Sequence, residues 1–443
     1  MNPRHSASRP HRVLHARKHR GHPLLTGTAL VVLAAMSFGV TAGATAWIRL
    51  SGNIETHDIS SLVDDVPQSG DDGPADPDDA NAGRALNLLV MGSDVRDGEN
   101  ALLGGEEEGM RSDTTIIVHI SADRSRIDAV SIPRDTRVNI PSCNFLDGSS
   151  SRPQSARFNA AFSIGARNEN VGEAAACTIQ TVQSLTGITI DGWVVVDFAG
   201  FRNMVDALGG VPMCIPNDME SPKAGLSITA GWHRLDGHTA LALARARTGR
   251  GLGNGSDLNR LGRQQQLLGA IAQEVFAKNL LTDLDQLYRF LDAATESLTA
   301  DPNTGDIRNL AGLAWSLQNI PPDRITFMTA PYAANPNDGN EVIFTSDAAA
   351  VWAAFINDTP MVPPPPEAPA DPVAPADPGT SQAPATGTDA SVENTANTPA
   401  APATATDPNA AAQAPAAPAT APSTPPPTPG VDPITAADTP VCG

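Results

Sequence analysis

TTIIVHIS (Thr114–Ser121) and, four residues later, RIDAVSI (Arg126–Ile132) are the two stretches that decide the fold class. Both are rich in β-branched residues, which favour extended backbone. Two such runs separated by a short polar segment predict neighbouring strands joined by a turn. The mostly apolar run LNLLVM (Leu86–Met91) stops at Gly92, and it predicts a further strand that is buried in the same sheet.

Segments with helical spacing alternate with strands along the rest of the chain. Further strands are predicted at Ile188–Val196 and Val211–Ile215. The predicted helices are Glu173–Leu185, Phe198–Leu208, Gly237–Ala246, Arg260–Lys278, Asp283–Ser297 and Gly305–Leu317. This alternation predicts an α/β fold, an α/β/α sandwich around a mixed central sheet.

The N-terminal region has the charge pattern of a membrane anchor. Residues 1–23 carry six arginines and lysines, five histidines and no acid, and the 25 residues of Leu24–Ile48 carry no charge. That stretch is long enough to cross a bilayer, and the basic flank predicts a cytoplasmic N-terminus with everything after Arg49 outside the cytoplasm. The alternative is a cleaved signal, since Ala42–Ala44 resembles a cleavage site, although a signal core is usually shorter.

Composition divides the chain into segments with different properties. A long acidic stretch without a basic residue predicts an extended, disordered linker, and a region rich in Pro, Ala and Thr predicts a disordered tail. The predicted parts are a basic cytoplasmic tail (1–23), a transmembrane helix (24–48), the acidic linker (49–84), a catalytic domain (85–278), an accessory extension (279–360) and the disordered tail (361–443). The formal net charge of −20 argues against a nucleic-acid partner.

Arginines and aspartates cluster at the predicted strand ends and turns, where α/β sheets place their ligands. The planar guanidinium suits phosphate oxygens, and two carboxylates at adjacent strand ends suit a shared Mg²⁺ with phosphate and water. The alternative for each residue is a surface ion pair of little energetic weight. The set comprises Asp94, Arg111, Asp113, Arg134, Asp135, Arg245, Arg247, Asp257, Arg260, Arg263 and Gln264.

Several motifs in this region resemble those of the LytR-CpsA-Psr family of cell-wall glycopolymer ligases. In chain order they are LLVMGSDVR (88–96), RSDTTIIV (111–118), AVSIPRDT (129–136), RFNAAFSIG (157–165), VDFAGFRNMVDALGGVPMCI (196–215), AGWHRLDGHTALALARAR (230–247) and DLNRLGRQQ (257–265). The resemblance implies binding of a polyisoprenyl (pyro)phosphate-linked glycan. It further implies transfer of the glycan phosphate to a hydroxyl of peptidoglycan or of a glycoprotein acceptor, outside the membrane.

The resemblance also assigns roles to individual residues. Asp94 and Asp113 would hold Mg²⁺ or Mn²⁺, and Arg134 would act with them at the catalytic centre. The phosphates would be clamped by Arg111, Arg134, Arg245, Arg247 and Arg263, with Gln264 contacting the phosphate group. Asp257 and Arg260 would orient that clamp, with Asp135 paired to an arginine. The long, Gly-rich segment Thr248–Ser256 between Arg247 and Asp257 departs from the family pattern.

Two other functions fit the same charged residues. Water in place of the sugar hydroxyl would make the protein a polyprenyl-pyrophosphate pyrophosphatase, and loss of turnover would make it a non-catalytic or regulatory protein that holds lipid-linked glycan. The apolar helices Ala174–Leu185, Phe198–Leu208 and Leu267–Phe276 would line a lipid tunnel or, more simply, form core.

The four cysteines are disulfide candidates, because an extracytoplasmic domain is in an oxidising compartment. Four cysteines allow three pairings. Cys143 with Cys177 is the preferred pair. Cys214 would then pair with Cys442 or remain a buried thiol.

Overall fold

A computed structural model describes residues 23–63, 79, 81–93, 110–252, 257–277, 284–296, 298–362 and 433–437. The helices are α1 (Pro23–Asn53), α2 (Ala160–Gly165), α3 (Val171–Thr186), α4 (Phe198–Ala207), α5 (Gly237–Arg245), α6 (Asp257–Ala277), α7 (Leu284–Thr295), α8 (Ile307–Leu317) and α9 (Ala348–Ile356). The strands are β1 (Glu55–Thr56), β2 (Leu86–Ser93), β3 (Ser112–Ile120), β4 (Ile127–Ile132), β5 (Arg137–Ile140), β6 (Gln154–Arg157), β7 (Gly192–Val196), β8 (Val211–Ile215), β9 (Met219–Ser221), β10 (Leu226–Ile228), β11 (Gly231–Leu235), β12 (Leu298–Ala300), β13 (Ile325–Thr329), β14 (Tyr332–Ala334), β15 (Val342–Phe344) and β16 (Ile434–Thr435).

The central sheet has eight strands in the order β1-β12-β7-β2-β3-β4-β13-β16. Strands β2, β3 and β4 are antiparallel neighbours, and Ile120 pairs with Ile127 across the predicted turn. Parallel pairs join β2 to β7 and β4 to β13. The sheet is therefore mixed, as predicted.

Helices cover both faces of the sheet because successive strand residues point to opposite sides. Ile117 faces a core that includes Phe158 and Phe162, together with residues of α3 and α9. Its neighbour Ile116 faces the other side, where Leu268 of α6 packs against the same cluster. This arrangement confirms the predicted α/β/α sandwich.

The helix α1 is long enough to cross a bilayer. It contains 31 residues, about 46 Å at 1.5 Å per residue, and its candidate membrane span Val31–Asn53 is mostly exposed, with Leu50 buried near the end. Its last turns contact α7: an Arg49 guanidinium nitrogen lies 3.0 Å from Asp292 Oδ2, and the Asn53 side-chain amide donates to Asp292 Oδ1 at 3.1 Å. Helix α1 therefore continues directly into the folded part. The cytoplasmic segment predicted for residues 1–23 lies almost entirely outside the described residues.

Part of the predicted acidic linker is ordered. Within 49–84, residues 55–56 form β1 on an edge of the sheet. Ile59, Leu62 and Val63 are buried in the core. Their spacing of three and four residues is typical of one helical turn. The prediction of a disordered linker gave more weight to the acidic composition than to this spacing. The remainder from 64 to 78 lies outside the described residues.

The region 279–360 completes the sheet and is not an appendage to it. Strand β12 pairs with β7, and β13 pairs with β4. Trp352 and Phe355 of α9 belong to the main core. No sign in the sequence indicated that this region joins the sheet, because pairings between distant strands leave no local pattern in it.

A short part of the predicted disordered tail is also folded. Ile434 and Thr435 form β16, antiparallel to β13, and the Ala436 amide donates to the Ile325 carbonyl at 2.8 Å. Ile434 and Ala436 are buried, and the Gln273 side chain of α6 donates to the Ala436 carbonyl. At 433–437 the chain is therefore folded although its composition predicts disorder, because Ile434 is buried. Residues 363–432 lie outside the described residues.

The preferred disulfide is confirmed. Cys143 and Cys177 are bonded, with Cα atoms 5.1 Å apart and a sequence separation of 34. Cys214 is disulfide-bonded and not a free thiol, while Cys442 lies outside the described residues. The first bond ties the loop after β5 to α3 beneath the sheet.

We expect the double variant Cys143→Ala/Cys177→Ala to lose about 2–4 kcal/mol of unfolding free energy, because the bond closes a loop of this length in the unfolded chain. Urea denaturation of the full chain measures the loss. Ser142→Ala/Thr178→Ala, which changes the neighbouring positions, serves as the control. Equal urea midpoints for the disulfide variant and the oxidised parent would show that the bond contributes no stability.

Candidate functional site

The start of one strand, the end of the next strand and the end of a helix bring the charged residues together. Asp113 lies at the start of β3, and Arg134 follows the end of β4. Because β3 and β4 are antiparallel, the start of one lies beside the end of the other. Helix α5 ends at Arg245, where the backbone turns extended at Ala246, and the chain then carries Arg247 to the same place.

Asp113 is the centre of this cluster. Arg134 Nη1 donates to Asp113 Oδ1 at 2.6 Å, and Arg247 Nη2 donates to Oδ2 at 2.9 Å. Burial raises the pKa of Asp113. The charges of Arg134 and Arg247, the hydrogen bond from Arg134 and the charge of Arg260 lower it by more than burial raises it, so the pKa lies below its usual value. A carboxylate held in this way is ionised and a weak proton acceptor.

Helix α6 supplies two arginines with different surroundings. Arg260 is 1% exposed and lines the pocket beside Asp113. Arg263, one turn later, donates to the backbone carbonyls of Ala246 and Leu252, at 2.5 and 3.3 Å. Burial lowers the pKa of Arg263. Arg263 thus fixes the segment that carries Arg247, whereas Arg260 lines the pocket. The roles predicted from the sequence, a phosphate clamp for Arg263 and its orientation by Arg260, remain predictions.

Gln264 joins α6 to the end of α5. Its side-chain amide donates to the Ala244 carbonyl at 3.0 Å and to Thr114 Oγ1 at 3.4 Å. It also lines the pocket. The Arg245 guanidinium lies 4.7 Å from the centre of the Phe198 ring, a cation–π arrangement that holds it against α4.

A second set of charged residues contacts Arg134, beginning with Asp135. Its Nε lies 3.3 Å from Asp135 Oδ2, and the other Asp135 oxygen lies 3.4 Å from Arg157 Nη1. Arg157 Nε lies 3.7 Å from Glu341, which also accepts from Arg137 at 3.1 Å. Sequence reasoning gave Arg157 and Glu341 no role, although Arg157 opens one of the quoted motifs.

Arg245, Arg247 and Arg260 line a pocket of about 350 Å³ together with Asp113. Its other walls come from α4, α5, α6 and the sheet and are mainly apolar, although Thr114, Asp197 and Gln264 also line the pocket. The apolar residues comprise Val90, Ile116, Val196, Phe198, Phe201, Met204, Leu241, Leu267, Leu268 and Ile271. Of the three helices suggested for a lipid tunnel, Phe198–Leu208 and Leu267–Phe276 line this pocket, and Ala174–Leu185 packs in the core on the opposite face.

The remaining predicted site residues are less directly placed. Arg111 is exposed, two residues before Asp113. Asp94 lies outside the described residues, as does the side chain of Asp257, whose backbone begins α6. Among the side chains that the structure does describe, no group of three or more histidines, cysteines, aspartates or glutamates could hold a metal ion. Asp113 is therefore the one predicted metal ligand whose surroundings are known.

An α/β protein that has one N-terminal helix long enough to cross a membrane, and a mainly apolar pocket lined by three arginines, is the class that the fold and the site define. Such a site suits a molecule with phosphate at one end and hydrocarbon at the other. A model of the LytR_cpsA_psr family matches residues 56–354, and the chain belongs to this family.

Individual relatives cover much of the chain. It is 29% identical over 374 residues to the cell wall biosynthesis protein LcpA of Corynebacterium glutamicum, covering 79% of this chain and 68% of that protein. It is 26% identical over 254 residues to the polyisoprenyl-teichoic acid–peptidoglycan teichoic acid transferase TagU of Enterococcus faecalis, covering 57% and 74%. The crystal structure of B. subtilis TagV matches with a TM-score of 0.46 at 24% identity, covering 63% and 99%.

We expect Asp113→Asn to bind inorganic pyrophosphate more tightly than the parent in the presence of EDTA, by about tenfold or 1.4 kcal/mol. The anion competes with the Asp113 carboxylate for Arg134 and Arg247, and the substitution removes that competitor. Isothermal titration calorimetry measures the affinity. Asp147→Asn makes the same charge change on an exposed loop, so a gain no larger than in this control would contradict the assignment.

Arg260→Gln and Arg263→Gln should have different effects. Loss of the two carbonyl contacts should cost Arg263→Gln about 1.5–3 kcal/mol of unfolding free energy, with a smaller loss in Arg260→Gln. Pyrophosphate affinity per folded molecule should fall more in Arg260→Gln, because of the two residues only Arg260 lines the pocket. Urea denaturation and calorimetry on both variants test this, and the reverse ranking in either measurement would refute the different roles of the two arginines.

Proposed function

We propose that this protein transfers a glycan phosphate from a polyisoprenyl (pyro)phosphate carrier to a hydroxyl of a cell-wall acceptor, with peptidoglycan the expected acceptor. The observation that carries the proposal is that Arg245, Arg247 and Arg260 line one mainly apolar pocket together with Asp113. Relatives named as polyisoprenyl-teichoic acid–peptidoglycan transferases support this substrate class.

In this proposal the donor binds with its pyrophosphate next to the arginines and its lipid next to the apolar side chains. Its pyrophosphate lies among the arginines, which replace the hydration of the phosphate oxygens with charge-assisted hydrogen bonds. The first isoprene units lie along Phe198, Phe201 and Met204. A pocket of about 350 Å³ is small for a ligand site, so the rest of a long polyprenyl chain remains outside it, in the membrane.

The reaction is a displacement at the phosphorus that carries the glycan. The acceptor hydroxyl oxygen forms a new bond to that phosphorus, and the bond from phosphorus to the bridging oxygen breaks. The electron pair leaves with the polyprenyl phosphate, and the hydroxyl proton passes to solvent. Asp113 is a poor base because its pKa is lowered, so the protein contributes mainly positioning and neutralisation of charge.

A divalent cation fits the donor chemistry of this site. Asp113, with Asp94 of the neighbouring strand end, would hold Mg²⁺ or Mn²⁺ together with phosphate oxygens. The ion would offset the negative charge that develops on the leaving polyprenyl phosphate. Since both Asp113 oxygens contact arginines, metal binding would require one of these two pairs to loosen.

The site faces away from the cytoplasm in this proposal. The basic residues before α1 favour a cytoplasmic N-terminus, and the Cys143–Cys177 bond fits an oxidising compartment. Wall polymers and their acceptors are on that side of the membrane.

The test uses the full chain in nanodiscs with a synthetic polyprenyl-pyrophosphate-linked sugar, Mg²⁺ and peptidoglycan fragments. We expect sugar phosphate on the fragments by mass spectrometry, with at least about a hundredfold loss of rate in Arg247→Ala. Arg250→Ala is the matched control, since Arg250 is three residues away and 73% exposed; its rate should equal that of the parent.

The products distinguish the possible activities. Release of polyprenyl phosphate and free sugar phosphate without an adduct, in the presence of peptidoglycan and glycoprotein acceptors, would replace the transferase with a hydrolase. Donor binding without turnover would make the protein a carrier of lipid-linked glycan. Equal losses in Arg247→Ala and Arg250→Ala would show that the site is elsewhere.

A further inference from the structure

Helix α8 has an outward face that the protein leaves uncovered. Leu310 and Leu313 are half-buried and line a groove beneath the helix. Arg308, Ala311 and Trp315 are exposed, and their spacing of three and four residues places them on one face. Trp315 is 54% exposed, which leaves a large apolar ring without a partner in the described protein.

The anchor helix lies beside this face. The Arg308 guanidinium lies 5.5 Å from the centre of the Trp47 ring. Trp47 comes near the end of the uncharged segment, two residues before Arg49, and is 40% exposed. Tryptophan at the end of a membrane span lies at the boundary between hydrocarbon and head groups. The contact therefore places the start of α8 at the membrane surface.

The position of α8 relative to the anchor is fixed by more than this one contact. Arg49 and Asn53 of α1 bind Asp292 of α7, so the last turns of the anchor are attached to the domain. The exposed face of α8 runs from Arg308 at the membrane boundary to Trp315, about 10 Å along the helix. An arginine and a tryptophan in this arrangement suit a head-group region, where each has a charged or polar end and an apolar body.

We propose that the face formed by Arg308, Ala311 and Trp315 lies on the bilayer surface on the domain side and is a second membrane contact besides α1. Arg308 lies among lipid phosphates, and the Trp315 ring inserts at the level of Trp47. The contact fixes the tilt and rotation of the domain on its anchor.

This orientation has a consequence for the pocket. Helix α7 packs against both α1 and α4, and α4 carries Phe198, Phe201 and Met204 of the pocket wall. One helix therefore separates the anchor from that wall. Under the proposed function, the lipid carrier would reach the pocket while most of its chain stays in the bilayer; the membrane contact itself does not depend on that function.

The test places a nitroxide at Ala311→Cys in the full chain in nanodiscs of phosphatidylcholine and phosphatidylglycerol. The described residues offer no free thiol, and labelling of the parent gives the background. Ala350→Cys, exposed on α9 over the opposite face of the sheet, is the reference position. We expect the ratio of oxygen to nickel-chelate accessibility to be severalfold higher at 311 than at 350.

A second substitution tests the tryptophan. Adding Trp315→Ala should reduce the ratio at 311 towards that at 350, whereas Trp232→Ala, which removes an equally exposed ring on β11 (59%), should not change it. Equal ratios at 311 and 350 in the parent would overturn the proposal. A ratio at 311 that survives Trp315→Ala would show that α1 alone sets the orientation and would also overturn it. Neither result requires transferase activity, so failure of the proposed function would remain distinguishable.

Discussion

The shared carboxylate of Asp113 is the interaction on which the arrangement of the site depends. Arg134 and Arg247 come from segments more than a hundred residues apart in sequence, and each binds one oxygen of this carboxylate. Both arginines are cations that would repel each other if the carboxylate were absent. Asp113 thus brings a strand end, a turn and the segment after α5 to one point, and it holds two positive charges side by side.

Hydrogen bonds and ion pairs around Arg134 and Arg247 hold these two arginines in place. Arg263 binds the carbonyls on either side of the loop that carries Arg247, and Asp135 contacts Arg134 and Arg157. A site of this kind needs little rearrangement when an anion replaces Asp113 as the partner of the arginines. Preorganised charge of this type is a main source of transition-state stabilisation in phosphoryl transfer.

The sequence predicted those features that leave a local pattern. The β-branched runs at 114–121 and 126–132 became β3 and β4, and the helical spacing of Phe198–Leu208 became α4. Asp113, Arg134 and Arg247 could be named as site residues, but the two ion pairs of Asp113 could not be predicted, because pairing depends on the order of strands in the sheet. The same reason hid β12, the ordering of 55–63 and 433–437, and the pairing of β13 with β4, although a strand at Ile325–Thr329 itself could be predicted. The different surroundings of Arg260 and Arg263 follow from the rotation of one helix turn against the sheet, which spacing alone does not specify.

The central sheet ends at both sides in a strand of two residues, Glu55–Thr56 at one edge and Ile434–Thr435 at the other. A long open edge would offer a row of unpaired amides and carbonyls to a neighbouring molecule. Proteins anchored in the same membrane share one plane, and this raises the frequency with which their edges meet. Both described edge strands are only two residues long. They therefore offer too few backbone groups for a strand of a second copy to pair with.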